Sequence, residues 1–224
     1  MPRKNNSAQA SEKKATEARK LAFDKAFAPV AVQIGRVARL WNQLHEELGL
    51  IFSRVLTPNN ITIPLSAWHT QQNDRSQREM LRAAILAWHI HNKKNHPTLR
   101  DEIIWLLNEA DILANKRNDA LHMPINILMN CKSFEFSVEP NHFWGHPRAL
   151  KLKGKDVLCE FSWYAAQIEA LRYYASAAQI NLASLTPLPK RPVLPPTSQF
   201  LNQKPTRRQT LPKRLRPPPR PSRA

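Results

Sequence analysis

"IGRVARLWNQLHEELGLIFSRV" (residues 34–55) places apolar side chains at Ile34, Val37, Trp41, Leu44, Leu48, Ile51 and Val55. The steps alternate between three and four, so on a helix these residues form one continuous stripe about six turns long. An apolar stripe of that length needs other helices to cover it. Upstream, 8–28 reads as a charged helix, and Pro29 allows a new start. Downstream, "TPNNITIPLS" (57–66) breaks the pattern with two prolines and a polar turn.

Three more stripes follow. Asp74 is placed to cap a second helix, with Gln77 completing a capping box, and Gln77, Leu81, Ala84 and Trp88 line its inner face. "HNKKNHP" (91–97) ends it. Thr98 then caps a third helix whose inner stripe is Leu99, Ile103, Leu106, Ala110, Leu113 and, at the same spacing, Arg117. Met123 precedes Pro124 and is pushed out of the helical region, so this helix stops at about His122. A fourth begins near Phe161 and lines up Tyr164, Ile168, Leu171, Ala175, Ala178 and Leu182. Between 130 and 160 the period changes. "SFEFSV" (133–138) alternates like a strand, and "LKLKGKDVLCEF" (150–161) reads as two strands around Gly154 and Lys155. The expectation is an all-α protein, a four-helix bundle with a short β-hairpin excursion before the last helix.

Charge divides the chain further. The formal net charge is +17 over 224 residues, but it sits at the ends. Residues 1–20 hold six Lys/Arg against two Glu, and 187–224 hold ten Lys/Arg, no acid and eleven of the nineteen prolines. Residues 21–186 are nearly balanced, with 18 basic and 15 acidic side chains. This predicts a basic N-terminal helix or arm over 1–28, a bundle domain over 29–186, and a disordered Pro-rich tail over 187–224. A basic arm is drawn to polyanions, and Arg207, Arg208, Lys213, Arg214 and Arg216 are candidates for nucleic-acid contact, as is the helical ridge of Arg75, Arg78 and Arg82. A solvated, unspecific surface is the plainer reading of both.

Cys131 and Cys159 have neither metal-ligand spacing nor a disulfide framework. No apolar run reaches membrane-spanning length, and "MPRKNNSAQASEKK" (1–14) lacks the apolar stretch of a signal peptide, so a cytoplasmic protein with reduced thiols is expected. His89 and His91 are about 200° apart on a helix and cannot share a metal there. His142 and His146 fall in the loop "NHFWGHP" (141–147), and four glycines in all leave little room for a phosphate-binding loop. No metal or cofactor is expected.

The third helix ends strangely. In "NEADILANKRNDALHMPI" (108–125), Arg117 occupies a position where the periodicity asks for an apolar residue. Beside it Asp111, Asn115, Asn118 and His122 form a polar stripe at spacings of four, three and four. Buried, such groups need partners. An Arg paired with a carboxylate inside the bundle is one reading, and a functional site is the other.

Arg117-Asn-Asp-Ala-Leu-His122 resembles the signature of the HEPN superfamily: an Arg, four to six residues, then a His, often with a polar residue directly after the Arg. Two other pairs, Arg39–His45 and Arg82–His89, have the spacing, but only Arg117 is followed by such a residue and lies at the end of a late helix. The resemblance covers this motif and the coarse helical layout of 29–182. It implies a metal-independent endoribonuclease acting as a homodimer with the two motifs facing each other, of the toxin or stress-defence kind, for which a protein antidote would be a further partner. In that role Arg117 would hold phosphate oxygens, His122 would move protons, and Asn118 would orient the histidine or the scissile phosphate. Arg117 and His122 stand about 140° apart on an ideal helix, so a distorted last turn or the second chain must close the gap. A non-enzymatic helical scaffold that binds nucleic acid or protein through its basic ends is the alternative.

Overall fold

The apolar stripe of 34–55 is buried as its spacing requires, with Val37, Trp41, Leu44, Leu48 and Ile51 at 1% exposure or less. The computed structural model of the chain describes residues 6–58, 60–92, 97–130, 135–184 and 186–196, without the side chains of 6–8. The stripe belongs to α1 (Asn6–Leu56), a helix of 51 residues that passes through Pro29 unbroken. Of the N-terminal helix or arm expected over 1–28, residues 6–28 are helical and continuous with the stripe. Proline removes one amide donor, which frees the carbonyl four residues earlier. That residue, Lys25, is exposed, where water can satisfy the carbonyl, while Phe27 and Val30 hold the helix against the core.

After α1 come α2 (Thr62–His69), α3 (Asp74–Asn92), α4 (Leu99–His122), strands β1 (Ile125–Met129) and β2 (Phe136–Pro140), α5 (Pro147–Lys151) and α6 (Val157–Ser184). α1 packs on α2, α3, α4 and α6, and α4 also contacts α3 and α6. The four long helices share one core, with Trp41, Leu48, Leu81, Ile103, Leu106, Phe161 and Ile168 inside it. β1 and β2 pair antiparallel, from Ile125 opposite Pro140 to Met129 opposite Phe136. The protein is mostly helical, and among the described residues this small sheet is its one β element. Among the described residues no helix is long and apolar enough to cross a membrane.

Several local expectations are corrected. Residues 57–66 are not only a turn, because Thr62 opens α2 and Pro64 falls in its first turn, where amides lack helical acceptors. Asn73, not Asp74, caps α3: its Oδ1 accepts the Ser76 amide at 2.8 Å. Thr98 precedes α4 but makes no side-chain cap bond. The hairpin around Gly154 does not form. Residues 147–151 are helical, Gly154 turns the chain at φ +75°, and Asp156 Oδ1 accepts the Leu158 and Cys159 amides at 2.9 and 3.1 Å to open α6. Leu152 and Val157 are buried while Leu150 is exposed, so the alternation there reflects helix and turn packing rather than a pleat. The sheet lies earlier, at 125–140. Of "SFEFSV" (133–138), Ser133 and Phe134 lie outside the described residues, as does Cys131.

Residues 186–196 form neither helix nor strand, as their prolines require. They nevertheless stay on the bundle, with Leu188 and Leu194 packed against the core. The folded part thus extends past residue 186 to Pro196. Arg207, Arg208, Lys213, Arg214 and Arg216 lie outside the described residues.

Two glycines of α1 give opposite expectations. A Cβ at Gly49 would lie 2.9 Å from Trp68 Nε1, and Trp68 is buried, whereas a Cβ at Gly35 meets nothing within 4 Å. Gly35→Ala should gain the ordinary helix-propensity increment of about 1 kcal/mol. Gly49→Ala should lose about 1–3 kcal/mol through crowding despite that increment. Denaturant midpoints of the two variants check this; a Gly49→Ala protein as stable as Gly35→Ala would show that Trp68 does not need the gap.

Candidate functional site

The end of α4 is built from a buried arginine outward. Arg78 on α3 is 4% exposed, and its guanidinium finds acceptors on two other helices. Nε donates to Asp111 Oδ1 of α4 at 2.6 Å, and Nη1 reaches His45 Nε2 of α1 at 3.2 Å. Arginine only donates, so His45 Nε2 must be the acceptor and the ring proton sits on Nδ1. Nδ1 then donates to Gln77 Oε1 at 3.0 Å, and Gln77 Nε2 donates to the Trp68 carbonyl at 3.2 Å. Polarity runs one way along this chain of bonds, from Arg78 through His45 and Gln77 to Trp68. On the outer side Arg82 Nη2 donates to Asp111 Oδ2 at 2.9 Å. Asp111 thus bridges two arginines.

Arg117 stands next to this network. Its Nη1 donates to Asn118 Oδ1 at 2.8 Å, its Nη2 lies 3.7 Å from Asp74 Oδ2, and its Cζ is 5.9 Å from the Trp41 ring centre. Asp74 Oδ2 also accepts Trp41 Nε1 at 2.6 Å. Arg117 Nε is buried without a hydrogen-bond partner. Such an orphan donor is costly unless something else meets it. Arg78 also lies over Trp41, with Cζ 5.5 Å from the ring centre, so cation–π attraction and the carboxylates hold both guanidinium groups near one indole.

These groups line an open cavity of ≈ 360 Å³, whose walls include Trp41, Asn73, Asp74, Arg75, Arg78, Arg117 and Asn118. Three arginines and three amide side chains, Gln72 among them, share the wall with one carboxylate, an arrangement suited to an anion with several acceptor oxygens. Arg75 is exposed and Arg82 half-buried, so the ridge of Arg75, Arg78 and Arg82 is not a uniform surface. Arg78 is a buried structural member of it. His122 is exposed at the end of α4 and is not one of the cavity's wall residues. The structure therefore brings Arg117 and Asn118 together with Arg75 and Arg78, but leaves His122 to the side.

Sequence reasoning missed Trp41, His45, Gln77 and Asp74 as members of the site. Their local sequence marks them as core or cap, and only the packing of α1 and α3 against α4 brings them to Arg117. Arg148 was missed as well: Nη1 donates to the Asn118 carbonyl at 3.2 Å and Nε lies 3.8 Å from Asp119, bracing the last turn of α4. Among the described residues no group of three His, Cys, Asp or Glu side chains is placed to hold a metal ion. Compared with known proteins, the chain matches no family model, no curated protein and no solved structure.

Burial, reinforced by the nearby Arg78 and Arg117, pushes His45 down to about 4, against the opposing pull of Asp74 and the Gln77 bond. A histidine depressed in the folded state leaves stability intact above its unfolded value of about 6.5 and removes it as pH falls toward the folded value. The whole window is worth on the order of 3 kcal/mol. Thermal unfolding of the parent should therefore lose stability between pH 6.5 and 4 more steeply than His45→Gln, which has no proton to gain. Parallel pH profiles for the two proteins would remove His45 from the account.

Proposed function

We propose that this chain is a HEPN-like, metal-independent endoribonuclease that acts as a homodimer. The observation that carries the reading is that Arg117 and Asn118 open onto a cavity they share with Arg75 and Arg78, instead of being consumed in the core. Cleavage by attack of a ribose 2′-oxygen on its own phosphate needs the phosphate held, charge stabilised as the phosphorane forms, and protons moved at both oxygens. Arg117 supplies donors from its terminal nitrogens, and Arg78 is held rigidly behind it. Asn118 orients Arg117 through their 2.8 Å bond. His122 is exposed and free of the cavity wall, so the proton transfers fall to the partner's His122 reaching across a dimer interface. A toxin or stress-defence role, with an antidote protein as partner, belongs to the same proposal.

The same position of His122 also favours a second reading, a helical scaffold that binds RNA phosphates at this cavity and does not cut. One experiment separates them. Purified protein is incubated with RNA in EDTA, beside Arg117→Ala and His122→Ala. The nuclease reading expects cleavage by the parent and a loss of a hundredfold or more in either variant, with unfolding midpoints and dimer mass unchanged. Binding without cleavage by the parent supports the scaffold. Equal cleavage by parent and His122→Ala removes His122 from the chemistry.

A further inference from the structure

"PLPKRPVLP" (187–195) repeats an X-Pro dipeptide every three residues, as Leu188–Pro189, Arg191–Pro192 and Leu194–Pro195. A polyproline helix has three residues per turn, so each position of the repeat forms one edge of it. Burial follows that period. Pro189, Pro192 and Pro195 are half-buried along one edge, and Leu188 and Leu194 are half-buried along the next. Lys190, Val193 and Pro196 are exposed along the third, Val193 at 92%. Two edges turned inward and one outward fit a polyproline ligand lying in a groove.

The groove is the face shared by α4 and α6. At its near end the Asn181 carbonyl accepts the Thr186 amide at 3.0 Å, and Asn181 Nδ2 donates to the Pro187 carbonyl at 2.5 Å. At its far end Trp163 Nε1 and Gln167 Nε2 donate to the Pro195 carbonyl at 2.8 and 3.4 Å. The segment therefore runs antiparallel to α6. Pro187 to Pro195 spans about 25 Å at the rise of a polyproline helix, which matches about 27 Å of α-helix from Asn181 back to Trp163. Between the ends, Arg191 Nε donates to Glu102 Oε2 at 2.9 Å, and Arg191 Cζ lies 5.1 Å from the Trp105 ring centre. Tyr174 Oη donates to the same Glu102 oxygen at 2.8 Å, and its ring meets Trp105 edge to face with centres 5.2 Å apart. The clamp for the arginine is thus braced from α6.

Indoles to pack on, donors for carbonyls and a carboxylate for a basic side chain are the chemistry that recognises a proline-rich peptide. Proline lacks the amide that would lock such a segment into a backbone ladder, so side chains of α4 and α6 hold it. A ligand held in this way can exchange. We infer that the α4–α6 face is a docking groove for proline-rich peptides, that residues 187–195 are its resident ligand, and that an arginine-bearing X-Pro repeat on another protein competes with them. The resident ligand is joined to α6, and that linkage gives it a high effective concentration at the groove. It yields only when its own contacts are weakened or the competitor's are better. Neither Arg117 nor the arginine cavity takes part.

A fluorescein-labelled peptide with the sequence of residues 187–196 is titrated by anisotropy with the full-length parent, Arg191→Gln and Pro192→Gly, after thermal melts confirm folding. Both variants weaken the resident ligand and leave the groove intact, and Pro192→Gly does so without changing charge. Each should bind the peptide about threefold or more tightly than the parent does, because the competing intramolecular ligand is weaker. A scrambled peptide of the same composition, with the three-residue spacing broken, should bind all three proteins weakly. Adding Glu102→Gln to Pro192→Gly should remove the gain, and a peptide with Gln in place of its arginine should not sense that change. Equal affinity of the parent and both variants would make the segment fixed structure, not an exchangeable ligand. Equal affinity for the scrambled peptide would reduce the binding to charge, and either result overturns the groove. If the parent is a dimer by light scattering and the peptide converts it to monomer, a second copy's segment is the occupant and the foreign partner is wrong.

Discussion

A guanidinium sealed inside a helical array must be given acceptors or the fold loses several kcal/mol. Arg78 imposes that condition. Its acceptors come from His45 on α1 and Asp111 on α4, so satisfying one side chain of α3 fixes three helices relative to one another. The same arrangement brings Trp41 and Asp74 together and places Arg117 over the Trp41 ring. The cavity is a consequence of the way the buried charge is accommodated. It is bounded by groups whose positions are set by bonds behind them, which is the condition for donors to meet an anion without reorganising.

How much of this is legible in the sequence depends on which forces are local. The stripe from Ile34 to Val55 and the stop at Met123–Pro124 are legible, because periodicity and the pre-proline restriction act within a few residues. Arg117 is conspicuous for the same reason, as a charge on an apolar stripe. Its partners are not, since Trp41 and Asp74 reach it only through the packing of α1 and α3 against α4. Arg78 is misread as a member of a surface ridge, although Arg78, Leu81, Ile85 and His89 also follow helical spacing and are all buried. A charged residue is assigned to solvent by default, and the default fails where two acceptors await it. Pro29 and the alternation at 150–161 mislead differently. In both, tertiary burial on either side overrides a local signal.

The last turns of α4 present positive charge in two directions. Lys116 turns to α6, where Gln167 and Trp163 receive it, and Arg117 turns to α1 and α3. The proline-rich segment 186–196 ends on the first side and the cavity opens on the second. Proline composition shows that residues 186–196 cannot be helix or sheet, but says nothing about where they lie. Their position comes from Trp163, Gln167 and Glu102, which composition treats as ordinary helix residues.

The most direct test of the site is a structure of the protein with a short RNA carrying a 2′-deoxy substitution, which binds without being able to undergo attack. The account predicts a backbone phosphate in the cavity within hydrogen-bond distance of the Arg117 guanidinium, and the partner's His122 approaching the same phosphate. RNA bound elsewhere, with the cavity empty and Arg117 still facing Asp74 as it does here at 3.7 Å, would contradict it.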